Sequence, residues 1–274
     1  MTALTRSSLL LLAASSLTLA CSPADAGEHQ TVVVTGSSTI APLMSEIGKR
    51  FEELHPGVRV DVQSGGSSRG VADARQELAD IGMVSRALKP DEADLHGFPI
   101  ARDGVCVILN AENPVRELTD EQVIAIYTGQ VTSWKEVGGP DAPITVVNKA
   151  EGRSTLELFL HTFQLKSSDI RASVVIGDNE QGIKTVAGNP DAIGYVSVGS
   201  AEYASTHGVA IRPLPMRGVE ATVESVRRGT FPLARELNLV TLRPPEGLTR
   251  ELIEFARSPA VHDLVVELYF VPLE

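Results

Sequence analysis

Cysteine is scarce in this sequence, since only Cys21 and Cys106 occur among 274 residues. Two cysteines cannot supply a disulfide framework, and no disulfide remains possible if Cys21 is processed. Cys106 lies in the apolar run 105–109, a pattern typical of a small buried hydrophobic side chain in a strand. Without disulfides, stability must come from a large core, and a mature chain of about 250 residues suits two lobes of ordinary domain size.

The sequence also lacks the signatures of hydrolases and of metal sites. The segments Gly36-Ser37-Ser38 and Gly66-Ser67-Ser68 do not match the G-x-S-x-G nucleophile elbow, and the six histidines are scattered. No group of histidine, cysteine and acidic residues has metal-ligand spacing. A serine hydrolase is therefore not favoured, and we expect a protein that is not an enzyme, with no metal and no cofactor.

Clusters of basic residues are missing as well. The chain has 24 lysines and arginines against 35 acidic residues. Arg6 is the one charged residue among residues 1–20, so the formal charge of the remaining chain is −12. Nucleic-acid binding needs clustered cations that neutralise phosphates, so no nucleic-acid partner is expected. An acidic protein that binds an anion must do so locally, with fixed dipoles and a few placed donors.

The longest N-terminal apolar run, residues 9–20, is too short to cross a bilayer, which takes about 20 apolar residues. Arg6 precedes the run, and small residues and Cys21 follow it. This pattern predicts a secretory signal over residues 1–20 and a short tether over residues 21–30. The protein is therefore expected outside the cytoplasm.

The end of the signal leaves two processing sites open. Thr18-Leu19-Ala20-Cys21 matches a lipoprotein signal at its last two positions, which makes Cys21 the candidate lipidation site. Cleavage after Ala24-Asp25-Ala26 is the alternative, and it would remove Cys21. The only membrane contact expected is through this possible lipid anchor.

Beyond the tether, apolar stretches rich in β-branched residues alternate with amphipathic ones. Helical spacing of apolar residues occurs over 44–54 and 156–163, and residues 248–268 are predicted to be helical as well. Such alternation indicates an α/β fold with largely parallel sheets. The predicted strands are residues 31–34, 58–62, 81–84, 105–109, 144–147, 174–176, 193–196 and 237–242.

One local pattern occurs three times: a turn of glycine and hydroxyl residues that leads into a helix. The N-terminus of a helix carries unpaired N–H groups and the positive end of the helix dipole, so it suits an anion. Serine and threonine are also ordinary N-caps, which is the alternative explanation for any single turn. Three such turns that converge could satisfy a tetrahedral oxyanion. The turns are Gly36-Ser37-Ser38-Thr39, Gly65-Gly66-Ser67-Ser68-Arg69-Gly70 and Glu151-Gly152-Arg153-Ser154-Thr155.

Five motifs, in the same order, resemble those of the phosphate-binding proteins of bacterial ABC transporters, the PstS type. The fourth motif is the most specific to that family, and together they cover nearly all of the chain after the signal. They are Gly36-Ser37-Ser38-Thr39-Ile40, Gly66-Ser67-Ser68-Arg69-Gly70-Val71, Ala79-Asp80-Ile81-Gly82-Met83-Val84-Ser85-Arg86, Ile126-Tyr127-Thr128-Gly129 with Trp134-Lys135-Glu136-Val137-Gly138-Gly139, and Ala192-Ile193-Gly194-Tyr195-Val196.

The resemblance implies a type II periplasmic solute-binding fold, with two α/β lobes, a hinge and an anion cleft between them. Lobe one is expected to comprise residues 31–109 plus 205–274 and lobe two residues 110–204, with hinges near 109–111 and just after 196–198. The implied function is capture of inorganic phosphate and its delivery to the membrane permease of an ABC transporter. The protein is expected to be a monomer in the periplasm or cell envelope.

The resemblance also assigns phosphate-binding residues on the first two turns. The first turn of the family donates a hydroxyl and a backbone N–H, which here correspond to Thr39 and Ile40, with Ser38 adjacent. The second turn contributes a serine, which is matched by Ser67.

The third turn departs from the usual family pattern Arg-x-Asp/Glu-Gly-Ser-Gly-Thr. Lys149 stands where arginine is usual, and Arg153 with Ser154 replaces Ser-Gly, while Thr155 is retained. Lysine cannot make the planar two-pronged contact of arginine, so we expect Arg153 to enter the cleft and supply it. Glu151 is expected to orient or neutralise Lys149.

Ser85 and Arg86 mark a further departure. Well-known members of the family place an aspartate at the position of Ser85, where it accepts a proton from phosphate and so rejects sulfate. Here a serine would accept without charge, which weakens that discrimination, and Arg86 would add a cation to the cleft. Sulfate, molybdate or another tetrahedral oxyanion therefore remains an alternative ligand, and a phosphate sensor without transport is an alternative function.

Overall fold

Ten strands and nine helices occur in residues 30–273, the part of the chain that the computed structural model describes. The predicted signal, Cys21 and residues 21–29 of the predicted tether lie outside the described residues. The strands are β1 (Gln30–Gly36), β2 (Val58–Ser64), β3 (Ile81–Val84), β4 (His96–Asn110), β5 (Thr145–Lys149), β6 (Val174–Ile176), β7 (Ala192–Ser197), β8 (Ile211–Pro213), β9 (Ala234–Thr241) and β10 (Val271–Pro272). The helices are α1 (Ala41–Leu54), α2 (Ser67–Arg75), α3 (Asp120–Tyr127), α4 (Ser154–Phe163), α5 (Asn179–Ala187), α6 (Val198–Thr206), α7 (Val223–Arg227), α8 (Gly247–Ala256) and α9 (His262–Glu267).

Two large hydrophobic clusters divide this part of the chain into two lobes. One cluster is formed by buried side chains of β1, α1, β3, β9, α8 and α9. The other is formed by the second half of β4 together with α3, β5, α4, α5, β7 and α6. Each lobe therefore has its own core, as expected for a domain pair that can move about a hinge.

β4 belongs to both lobes. Its residues 96–104 pair with β9, and its residues 105–109 pair with β7. β9 begins at Ala234, which lies opposite Gly104, and the N–H of Val105 donates to the carbonyl oxygen of Leu233 at 3.0 Å. The chain thus crosses between the lobes at two neighbouring points, 104/105 and 233/234.

These crossings differ from the predicted lobe boundaries. β8 pairs with residues 108–110 of β4, and Leu214, Phe231 and Leu233 belong to the core of the second lobe. Residues 205–233, which were expected in lobe one, therefore pack in lobe two. The apolar run 105–109 is buried whichever lobe holds it, so its composition could not show that the first crossing precedes it. From here on, lobe one means residues 30–104 and 234–273, and lobe two means residues 105–233.

The predicted α/β fold is confirmed, but the sheets are mixed. The strand order is β2-β1-β3-β9-β4-β7-β5-β6. β1 pairs in parallel with β2 and β3, and β5 pairs in parallel with β6 and β7. Within residues 30–273, every antiparallel pair of named strands contains β4 or β9. The expectation of largely parallel sheets was wrong at the two crossing strands, which run in opposite directions because one leaves lobe one and the other returns.

The predicted C-terminal helix is also divided. A 3-10 turn, Pro259–Val261, separates α8 from α9, because Pro259 lacks the N–H that would continue the helix. The expected core role of Cys106 is confirmed, since it is buried, and Tyr127 and Trp134 are buried as well. Among the residues that the structure describes, no helix is both long and apolar enough to cross a membrane.

A stack of glycines brings α2 close to the sheet of lobe one. A Cβ atom added at Gly70 would lie 2.7 Å from the carbonyl oxygen of Met83 and 2.9 Å from that of Thr35. Gly36 lies on β1 and Gly82 on β3, and a Cβ atom added at either position would come at least as close to a backbone carbonyl oxygen. Only the absence of side chains at these three positions lets the start of α2 approach the ends of β1 and β3.

The Gly70→Ala substitution is therefore expected to lower the free energy of unfolding by about 1–3 kcal/mol, because the new methyl group meets rigid backbone carbonyls. Chemical denaturation of the variant and the wild type measures this difference. Gln76→Ala, at an exposed position at the end of the same helix, should change stability by less than about 0.5 kcal/mol. Equal stability of Gly70→Ala and Gln76→Ala would contradict the close packing.

Candidate functional site

Three helices, α1, α2 and α4, begin at the cleft between the lobes, each from one of the three glycine and hydroxyl turns. The N–H of Ser68 in lobe one donates to the carbonyl oxygen of Gly152 in lobe two at 3.2 Å, so the turns meet. In this described region, the N-cap residues Ile40, Gly66 and Arg153 make no side-chain capping hydrogen bond. By contrast, α3, α5, α6 and α7 are each capped by an N-cap side chain. Ordinary N-capping therefore does not explain the turns before α2 and α4, whereas at the first turn Ser37 Oγ accepts from the N–H groups of Thr39 and Ile40.

A buried ion pair lies at the base of the cleft. Arg235 of β9 and Asp103 of β4 are cross-strand neighbours, and their side chains are 2% and 1% exposed. The guanidinium donates twice to Asp103 Oδ2, from Nη2 at 2.8 Å and from Nε at 3.1 Å. The other carboxylate oxygen accepts from the hydroxyl of Ser197 at 2.9 Å and from the N–H of Gly199 at 3.3 Å, both in lobe two. A buried charge is tolerated when it is paired and hydrogen-bonded in this way.

Arg235 also collects hydroxyl groups from both lobes. Its Nη2 donates to Thr39 Oγ1 at 3.3 Å, and its Nη1 donates to Thr155 Oγ1 at 3.2 Å and to Ser85 Oγ at 3.5 Å. Three of the residues predicted from sequence are thus brought together around one guanidinium. The arginine itself was not predicted.

Lys149 adds a second buried cation beside this group. Its Nζ donates to Oδ1 of Asn179 at 3.0 Å. Burial lowers the pKa of Lys149 to about 7; the charge of Asp178 opposes this shift, and those of Arg235 and Arg153 reinforce it. Glu151, which was expected to orient or neutralise Lys149, instead lies on the surface and accepts from the hydroxyl of Ser167. That expectation was wrong, and Asn179 takes the orienting role.

The N-terminus of α4 carries an unused hydroxyl. Ser154 is buried, and its Oγ has no hydrogen-bond partner within residues 30–273. Leaving a buried hydroxyl unpaired costs about 1–3 kcal/mol. Ser154 stands at the first position of α4, next to Thr155, where the unpaired N–H groups of the helix also lie. This end of α4 thus has both free donors and a free hydroxyl.

Arg153 reaches across the cleft from lobe two. Its Nη1 donates to the hydroxyl of Ser38 at 3.4 Å, and its side chain lies against Gly66 and Gly177. Gly66 has a φ of 99°, and a Cβ there would lie 2.7 Å from the carbonyl oxygen of Gly152. Arg153 is half-buried and lies at the mouth of the cleft, whereas Arg235 lies at its base.

Arg86 does not offer a free cation to the cleft, contrary to expectation. Its guanidinium makes a two-pronged contact with Glu92 at 2.6 and 2.7 Å, and its Nε donates to Glu157 of lobe two. Burial lowers the pKa of Arg86, but the hydrogen bonds that it donates to Glu92 and the charge of Glu157 outweigh this effect and raise the pKa. Lys89 and Ser68 also contact Glu157, each at 3.2 Å. Arg86 therefore links the two lobes instead of facing an anion.

The remaining predicted residues have roles within the turns. Ser67 Oγ accepts from the N–H of Ser85 at 3.1 Å. The N–H of Ile40 donates to Ser37 Oγ at 3.4 Å, while the side chain of Ile40 packs in the core of lobe one. Ser85 was expected to act as an acceptor in the cleft, but its oxygen already accepts from Ser37 at 2.9 Å and from Arg235.

Sequence patterns did not identify Ser37, Asp103, Asn179 or Arg235 as part of this cluster. Asp103 and Arg235 each precede an apolar strand segment by two residues, which is a weak signal of a charge at a strand end. Their partnership depends on strand register across 132 positions, which no local pattern gives.

A crevice of about 750 Å³ opens beside the cluster and shares Ser38, Thr39 and Asn179 with it. Its other walls are mostly apolar, and neither Arg235 nor Thr155 lines it. Most of the buried charged groups and hydroxyls described above therefore lie in the cluster and not along this crevice. Within the described part of the chain, no group of histidine, cysteine and acidic residues could hold a metal ion.

Comparison with known proteins identifies the family of this chain. A family model described as a PBP superfamily domain matches residues 22–260. The PstS phosphate-binding protein of Bacillus subtilis is 23% identical over 285 residues, which cover 97% of this chain and 93% of that protein.

Two solved structures are similar over their whole length. One is a Clostridium perfringens protein, described as a phosphate ABC transporter substrate-binding protein and solved with bound phosphate, at 30% identity and a TM-score of 0.82. The other is an ABC-type phosphate transport receptor from Vibrio cholerae, at 30% identity and a TM-score of 0.71. Each covers 89% of this chain, and the match spans 100% of each neighbour. Because one family model covers most of the chain and both neighbours match throughout, the chain belongs to the PBP superfamily and, within it, to the PstS-type family of substrate-binding proteins.

Proposed function

We propose that this protein captures inorganic phosphate in the cleft and delivers it to the permease of an ABC transporter, without performing chemistry on it. The observation that carries the proposal is the convergence of Arg235, Lys149 and several buried hydroxyls at the start of α4 and α1. A tetrahedral anion is the ligand whose oxygens could accept from Lys149, from the hydroxyls that Arg235 orients and from the N–H groups at the start of α4 together. The names of the relatives, which state phosphate binding and phosphate transport, support the same ligand.

The charges at the site suit a small anion. Asp103 neutralises Arg235, so Lys149 supplies the additional positive charge at the base, and Arg153 supplies another at the mouth. Charge-assisted hydrogen bonds to an oxyanion are about twice as strong as neutral ones. The rest of the stabilisation would come from the hydroxyls and from the N-terminus of α4.

The proposed contacts follow from this arrangement. Arg235 is added as the residue that orients the hydroxyls of Thr39, Ser85 and Thr155, and Arg86 is proposed to act through closure of the lobes. One chain supplies the whole cluster, so the site requires no second copy, which supports a monomer. The proposed contact residues are Ser38, Thr39, Ile40, Ser67, Ser85, Lys149, Arg153, Ser154 and Thr155.

Calorimetric titration with phosphate tests the proposal, after bound ligand has been stripped by partial unfolding and refolding. We expect saturable binding with one site per chain. We also expect a higher melting temperature in millimolar phosphate, because a ligand that binds only the folded state stabilises it. Arg235→Lys keeps a cation opposite Asp103 but loses the fork geometry, so phosphate affinity should fall at least tenfold, about 1.4 kcal/mol.

Arg69→Lys is the matched control for that variant, because Arg69 is an exposed arginine on α2 that contacts Asp73 and Gln63. Its phosphate affinity should stay within about twofold of the wild type, since the pair is solvent-exposed. No heat of binding and no change in melting temperature with phosphate in the wild type would reject the function. Equal affinities of Arg235→Lys and Arg69→Lys would reject the role of Arg235.

The lowered pKa of Lys149 predicts a pH-dependent stability of the ligand-free protein. In the unfolded chain this lysine keeps its proton up to about its ordinary pKa of 10.5, whereas in the folded chain the pKa is about 7. Between these values the unfolded chain holds more protons, so the free energy of unfolding should rise with pH. From pH 7 to pH 9 the rise should exceed that of Lys149→Met by about 2 kcal/mol. Chemical denaturation measures both profiles, and parallel profiles would contradict the burial of a charged Lys149.

Export and lipid anchoring at Cys21 are proposed from the N-terminal pattern. Cys21→Ala should release the protein from membranes into the soluble fraction, because the acylated side chain is the only proposed anchor. Fractionation followed by mass spectrometry of the mature N-terminus measures this. A wild-type N-terminus at Gly27 would show instead that cleavage follows Ala24-Asp25-Ala26.

A further inference from the structure

Ser37 fixes the hydrogen-bonding role of its neighbour Ser85. The Oγ of Ser37 accepts from the N–H groups of Thr39 and Ile40 at 3.2 and 3.4 Å. A serine hydroxyl has two lone pairs and one proton, so with both lone pairs engaged Ser37 can only donate. Its proton goes to Ser85 Oγ, 2.9 Å away.

As a result, only the hydroxyl proton of Ser85 is left for a further hydrogen bond. Its oxygen accepts from Ser37 and from Nη1 of Arg235, at 3.5 Å, which engages both lone pairs. The residue is only 2% exposed, so bulk water does not compete for its hydroxyl. The remaining proton must be directed at a partner inside the cleft. Ser85 therefore faces the ligand as a donor.

Thr39 is constrained in the same way from the opposite side. Nζ of Lys149, when protonated, can only donate, so its bond to Oδ1 of Asn179 turns the amide nitrogen of Asn179 towards Thr39. Thr39 Oγ1 accepts from that nitrogen at 3.4 Å and from Nη2 of Arg235 at 3.3 Å. Its own proton is what remains, so Thr39 also faces the ligand as a donor.

The carboxylates around the cluster are already engaged. Asp103 accepts four hydrogen bonds, two of them from Arg235. Glu157 is held by three donors from lobe one. Asp178 caps α5. None of these three groups offers a charged acceptor that is committed to a ligand hydroxyl. Neutral acceptor positions remain on the hydroxyls of Ser38, Ser67, Ser154 and Thr155.

We propose that this network makes the cleft a site for tetrahedral dianions whether or not they carry a proton, so that it binds sulfate as well as hydrogen phosphate. A ligand hydroxyl aimed at Ser85 or Thr39 would set donor against donor and leave both unpaired in a buried site. The single hydroxyl of hydrogen phosphate can turn to Ser154 or Thr155, and sulfate has no hydroxyl to place. Rejection of sulfate needs a buried acceptor that sulfate would leave unpaired. The carboxylates named above are engaged elsewhere, and the remaining hydroxyls can donate to sulfate instead of accepting. This inference rests on the proposed oxyanion-binding function.

Calorimetric titrations with phosphate and with sulfate, at one pH and ionic strength, test the inference on ligand-stripped protein. We expect the Kd of the wild type for sulfate to lie within about tenfold of its Kd for phosphate. Ser85→Asp introduces a charged acceptor, so sulfate affinity should fall more than about a hundredfold further than phosphate affinity does. Ser37→Ala frees one lone pair of Ser85, so the ratio of the two Kd values should shift several-fold towards phosphate.

The results of these titrations distinguish a failure of the sulfate inference from a failure of the proposed oxyanion-binding function. Tight phosphate binding with sulfate binding weaker by more than about tenfold in the wild type would overturn the inference and leave the proposed function standing. Binding of neither anion would overturn both. Ser37→Ala removes a single hydroxyl and keeps the test decisive if Ser85→Asp fails to fold; an unchanged ratio in that variant would overturn the role given to Ser37.

Discussion

The ion pair between Asp103 and Arg235 organises the site. Each charge is buried, and each is satisfied by groups from both lobes: Asp103 by the start of α6, and Arg235 by hydroxyls at the starts of α1 and α4. Removing one partner would leave the other unpaired in the interior, which typically costs 3–5 kcal/mol, so neither residue is freely replaceable. The hydroxyls that surround the guanidinium take their orientation from it. Their positions in sequence are set by the turns, but their roles as donors or acceptors are set by the pair.

Much of the fold was predictable, because strand and helix periodicity is local. The segments now seen as β1, β2, β3, β6 and β7 were all anticipated, as were α1 and α4. The lobe boundary was not, because residues 205–233 contain only the short elements β8 and α7, whose lobe is decided by pairing with β4 and by distant core contacts. The crossing strands were equally hidden, since an apolar run looks the same in either core.

The glycine and hydroxyl turns of the site could be predicted from the sequence, whereas the contacts between residues that are distant in the sequence could not. Glycine and hydroxyl residues before a helix indicate an anion site by local geometry, and Thr39, Ser85 and Thr155 do meet around one guanidinium. The choice among cations depended on contacts between distant segments. Arg86 forms ion pairs with Glu92 and Glu157 and so does not face the cleft, whereas the register of β9 against β4 places Arg235 there. The spacing of residues in the sequence could not show which of these two arginines lies at the site.

The hydrogen bonds between β4 and β9 continue up to the point where the chain passes between the lobes. Opening of the lobes must therefore bend or twist a paired ribbon, and Asp103 and Arg235, one residue pair before the crossing, stay in register as it does so. The arginine consequently remains aimed and charged before any ligand arrives. Ligand binding therefore costs little free energy for ordering the lobe-one side of the site. The conformational entropy lost on binding comes mainly from the turn that precedes α4 in lobe two and from the Arg153 side chain.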